Sequence, residues 1–106
     1  MIEEIGNIAF KDADILYARW KKWQRENTAL LIKPGDFVKV RVDHVNCISE
    51  HLWVEILVCS KSQVKFWGKL ANSPLQLPYS MGHAITLHRR DIEDHLEGKS
   101  NKKQSQ

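Results

Sequence analysis

A chain of 106 residues, 42% of them hydrophobic, can bury one modest core, which leaves room for one domain and no second. Sixteen Lys and Arg against thirteen Asp and Glu give a net charge of +3. The tail cations Lys99, Lys102 and Lys103 account for that excess, so net charge alone does not point to an anionic partner.

No apolar run reaches the length of a membrane span, and the acidic start Met1-Ile2-Glu3-Glu4 lacks the basic and apolar stretches of a secretory signal. The two cysteines, Cys47 and Cys59, are therefore expected as reduced thiols in a cytoplasmic protein. Asp12 or Asp14 stands where a helix cap is needed, ahead of Leu16, Trp20 and Trp23, which follow i, i+4, i+7 and line one helical face. Lys21, Lys22 and Arg25 suit the helix C-terminus, and Asn27 is a stop signal. Leu30 to Ile32 reads as a short extended lead-in, followed by a turn at Pro34-Gly35.

From Phe37 the period becomes two. Val38, Val40 and Val42 alternate with Lys39, Arg41 and Asp43, as in a strand with one buried face. The stretch from Leu52 to Cys59 is apolar on both faces and predicts a central strand covered on both sides. Residues 60–63 form a connection of hairpin length to a strand from Val64 to Leu70, and the two strands should pair antiparallel. Asn72, Pro74, Pro78 and Gly82 make residues 71–83 a loop crossing the end of the sheet. Ala84 to His88 is a last strand. Arg89 to Leu96 reads as a short helical turn closed by Gly98, and residues 99–106, without an apolar side chain, as a disordered polar tail. The fold class expected is α+β: residues 1–98 form one domain, an N-terminal helix on a strongly bent antiparallel sheet of four to five strands, with closure into an SH3-like barrel left open by the pattern.

Five short pieces occur in an order that resembles a known family. They are Phe37-Val38-Lys39-Val40, the Glu-His-Leu-Trp-Val segment from Glu50 to Val54, the Phe-x-Gly-x-Leu-x-Asn-x-Pro segment from Phe66 to Pro74, Gly82 before the last strand, and the closing Ile-x-Asp from Ile92 to Asp94. Residues 32–96 are in this way similar to the bacterial domains grouped as domain of unknown function 2314. The resemblance implies a small β-rich fold and carries over no catalytic residues. His95 stands where family members often have Trp, so the role of that closing aromatic does not transfer.

Cys47, His51 and Cys59 lack the paired spacing of a zinc knuckle, so neither a metal nor a cofactor is expected. A thiol nucleophile at Cys47 beside His51 would lack both an oxyanion donor and a helix N-terminus, and no phosphate-binding loop is present, which ranks a thiol or metal-dependent enzyme third among function classes. The sheet's second face is richer. Lys39, Arg41, Trp53, Lys65, Trp67 and Lys69 interleave cations with rings, the combination that holds single-stranded nucleic acid. The competing expectation, the favoured one, is that the helix stripe docks on Trp53 and Trp67. A second surface is offered by Asn72, Pro74 and Tyr79 on the crossing loop with Arg89, Arg90 and Asp91 at the sheet's end, where turns and caps are the ordinary role. The leading expectation is a non-enzymatic binding or regulatory module for a protein partner, with a nucleic-acid-binding domain as the alternative and no membrane role.

Overall fold

The computed structural model describes residues 17–44 and 47–98. The caps expected at Asp12 or Asp14, the stripe residue Leu16 and the tail 99–106 lie outside the described residues. One helix packs on a five-stranded antiparallel sheet. Helical residues 17–26 (α1) end where expected, with both the backbone N–H and the side-chain amide of Asn27 donating to the Trp23 carbonyl at 2.9 Å.

The strands are β1 Phe37–His44, β2 Cys47–Cys59, β3 Lys65–Leu70, β4 Ala84–His88 and β5 Ile92–Leu96, with a 3₁₀ turn at Arg89–Asp91. Their order in the sheet is β4-β3-β2-β1-β5. Alternation explains the core: Val38 and Val40 of β1, Leu52, Val54 and Ile56 of β2, Phe66 and Leu70 of β3, Leu87 of β4 and Ile92 of β5 all point inward and are buried. Gly68 lets β3 approach β2, since a Cβ there would lie 2.2 Å from the Glu55 carbonyl oxygen.

Three expectations change. β2 begins at Cys47 rather than Leu52, and it is not covered on both sides, because Leu57 and Val58 are exposed. The expected helical turn from Arg89 to Leu96 is helical only at Arg89–Asp91. There Asp91 accepts from the His88 N–H while the His88 ring accepts from the Arg90 N–H. This reciprocal cap opens the turn, the backbone becomes extended again at Ile92, and Ile92–Leu96 forms a strand that satisfies the free edge of β1. The sheet is not closed into a barrel: β4 and β5 lie at its two ends and do not pair.

The third correction concerns α1. The helix packs over the 3₁₀ turn and the start of β5 instead of over Trp53 and Trp67. Trp20 donates its indole N–H to the Arg90 carbonyl at 2.7 Å, and Gln24 donates to the carbonyls of Arg89 and Ile92. Trp23 packs against the core cluster. The turn gathers carbonyls that the side chains of α1 can reach: that of Arg89, which also accepts from the Ile92 N–H, and those of Arg90 and Ile92.

Candidate functional site

The loop and turn residues expected as a binding surface mostly hold the fold. Asn72 accepts from the Trp53 N–H at 2.9 Å, Asp91 caps the 3₁₀ turn, and Arg90 offers its carbonyl to Trp20 while its side chain is exposed. Arg89 is the hub. Its guanidinium donates to the carbonyls of Asn27, Leu30 and Gln63, joining the end of α1 to the β2–β3 connection. Burial pulls its pKa below the ordinary value, and three carbonyl dipoles facing one charge keep it in place. Pro74 and Tyr79 are half-buried; the Tyr79 ring packs against the core and lies 4.7 Å from His83 and 6.0 Å from His44, centroid to centroid.

Two features went unmarked in the sequence reading. Asp36, 0% exposed, accepts from the N–H groups of Lys33 and Gly98 and pairs with His95 at 2.9 Å. Burial alone would raise its pKa, but the His95 ring and the two amides outweigh burial and hold it below the ordinary carboxylate value. Glu50 takes the amides of Leu75, Gln76 and Leu77 at 2.6 to 3.0 Å, and these bonds likewise lower its pKa. The clamp seats Leu77 in the core and leaves Leu75 92% exposed. A Pro-Gly-Asp turn carries no mark of a partner 59 residues away, and Glu50 looks like any strand-end carboxylate, so only the tertiary structure reveals either role.

Cys59 donates its thiol to the Ile32 carbonyl at 3.3 Å, and burial with the Asp36 carboxylate behind it pushes its pKa up, the reverse of what an activated nucleophile needs. Cys47 begins β2 and Cys59 ends it. At roughly 3.3 Å per residue the two stand on the order of 40 Å apart along an extended strand, out of reach of a disulfide. Among the described residues, no three His, Cys, Asp or Glu side chains gather as metal ligands, and no helix is long and apolar enough to cross a membrane.

The outer sheet face holds the other predicted residues together. Lys39 of β1 is opposite Trp53 of β2, with its ammonium 5.9 Å from the ring centroid. Lys65, Trp67 and Lys69 alternate along β3, and all three are exposed, Trp67 by 41%. With Leu57 and Val58 on the neighbouring strand, Trp67 forms an apolar strip in solvent. Carboxylates share this face. Arg41 pairs with Asp43 at 3.1 Å, Lys69 lies 3.9 Å from Glu55, Lys39 is opposite Asp94 across the β1–β5 ladder, and His51 bonds Glu93 at 2.7 Å.

Around the edge, Trp67, Tyr79, His83, Ala84, Ile85 and Thr86 line a mainly apolar cleft of about 350 Å³. No family model matches the chain, and neither curated proteins nor solved structures give a significant match. Function is accordingly read from this geometry.

Proposed function

We propose that this domain is a non-enzymatic binding or regulatory module whose partner is a protein, engaged through the outer face of the sheet at its β3–β4 end. The observation that carries the reading is Trp67, 41% exposed beside Leu57 and Val58 on a face that α1 leaves open. A cluster of large apolar side chains rimmed by charges of both signs suits a protein interface, where aromatic anchors supply the energy and the rim supplies specificity. We read the architecture as an open, SH3-like arrangement, on the strength of the strand order and the 3₁₀ turn between β4 and β5. The reading places the module in the cytoplasm, where two cysteines are expected to stay reduced.

Single-stranded nucleic acid is the second reading, favoured by the alternation of Lys65, Trp67 and Lys69. It is weaker because phosphates need a continuous cationic track, and here Asp43, Glu55, Glu93 and Asp94 interrupt it. Titration of a labelled short single strand at physiological salt separates the two. A dissociation constant no tighter than about 10⁻⁵ M is expected, the level of non-specific electrostatic association. Submicromolar binding that disappears in Trp67→Ala, with the fold intact by circular dichroism, would overturn the protein-partner reading, since stacking adds about 1 to 3 kcal/mol per base.

A further inference from the structure

Among the described residues, β4 has β3 on one side and no strand on the other. Its ladder fixes which backbone groups face that open side. Arg89 donates to the Val64 carbonyl and Leu70 to the His83 carbonyl, one at each end of the β3–β4 pair. In an antiparallel ladder, hydrogen-bonded residues alternate with residues whose N–H and C=O point away. Starting from His83 and Arg89, the residues bonded to β3 are His83, Ile85, Leu87 and Arg89, in agreement with the pairing of Ile85 with Gly68 and Leu87 with Phe66. The groups of Ala84, Thr86 and His88 therefore face outward. His88 bears this out, because its N–H is taken by Asp91 rather than by β3. Ala84 and Thr86, both exposed, present the remaining free edge.

The cleft follows the same edge. The cavity touches Ala84, Ile85 and Thr86 in sequence, whose side chains alternate between faces, and continues to Leu70 of β3 and Val42 of β1, so it opens at the side of β4 and extends under the inner face of the sheet. The charge there has one sign within the two strands: β3 carries Lys65 and Lys69, and neither strand contains a carboxylate. Glu55, across from Lys69, is the one acidic group in contact with those lysines among the described residues.

The geometry points to β4 as a strand-addition site for an acidic, extended peptide of a partner protein, an inference that rests on the protein-partner reading above. The peptide pairs its backbone with Ala84 and Thr86, sets alternate apolar side chains into the cleft beside Tyr79 and Ile85 on the inner face, and turns its carboxylates toward Lys65 and Lys69 on the outer face. Asp91, by capping His88, ends the addition at that side.

The test uses the full chain and two short fluorescent peptides, one alternating glutamate with valine and one alternating lysine with valine, with binding read by fluorescence anisotropy. The acidic peptide is expected to bind at least about tenfold tighter than the basic one, and its binding to weaken at least tenfold in Thr86→Pro, which removes the outward N–H, and in the double variant Lys65→Glu with Lys69→Glu. Amide resonances of Ala84 and Thr86 should shift on titration. Equal binding of both peptides, or acidic-peptide binding unchanged in a folded Thr86→Pro, overturns the strand-addition site. If binding survives Thr86→Pro but is lost in Trp67→Ala, the edge is wrong and the protein-partner reading stands; binding of oligothymidine in place of either peptide removes both.

Discussion

The two edge strands of the sheet are handled in opposite ways. β5 is tied down at both ends. Its entry is covered by Gln24 and Trp20 of α1, its register shifts against β1 between Lys39 and Val40, and its exit is held where Asp36 bonds His95 and the Gly98 N–H. β4 has none of this beyond the cap at His88, and it is short, apolar and without a carboxylate. Proteins that leave an edge open usually blunt it with charge, proline or a bulge, because an unpaired edge recruits other chains. The contrast teaches where stability and function separate: the β5 side holds the fold together, and the β4 side is left accessible.

Substitutions can break or sharpen this contrast. The largest effect is expected at Asp36. Asp36→Ala leaves two amides and His95 without their buried acceptor and should cost about 3 to 5 kcal/mol in urea denaturation. The same carboxylate sets a pH dependence. Its folded pKa lies below its unfolded value, so its stabilisation is fully present above about pH 4 and is lost as pH falls through the folded pKa. Stability should fall on acidification below pH about 4, and Asp36→Asn should flatten that fall in part, Glu50 contributing in the same direction. A variant as acid-sensitive as the wild type would remove Asp36 from the account.

Arg89→Ala comes next, at about 2 to 3 kcal/mol, because carbonyls at the end of α1 and in the β2–β3 connection lose a charged donor together. The helical circular dichroism signal should weaken before the sheet unfolds. On the open side the effects shrink. Trp67→Ala should cost under about 1 kcal/mol, since nearly half the ring is already in solvent. Thr86→Pro should stay within about 1 kcal/mol, as proline is tolerated where an edge N–H has no ladder partner. A large loss at Thr86 would show that β4 is paired in solution and collapse the contrast between the edges.

The sequence disclosed what is local. Val38, Val40 and Val42 announce β1 by period, the polar connection at residues 60–63 announces the β2–β3 hairpin, and Asn27 ends the helix as its type suggests. β5 escaped because Ile92-Glu93-Asp94-His95-Leu96 holds two apolar residues among three polar ones, too few to tell a strand from a turn without knowing that β1 lies beside it. The docking of α1 escaped for a related reason. A stripe of Trp20 and Trp23 requires burial against something, but the carbonyls that the 3₁₀ turn brings together exist as a target only once the turn has formed. Of the candidate site, the alternation of Lys65, Trp67 and Lys69 was readable, whereas its openness depended on where the helix settled.

The central claim, that the face bearing Trp67 is open while the helix docks elsewhere, can be measured with 5-fluorotryptophan. Four fluorine resonances, assigned by single Trp→Phe variants, would be followed as a soluble paramagnetic agent is added. The account predicts strong broadening for Trp67 and much weaker broadening for Trp23, which packs against the core. Protection of Trp67 equal to that of Trp23 would contradict it and return the helix to the outer face of the sheet.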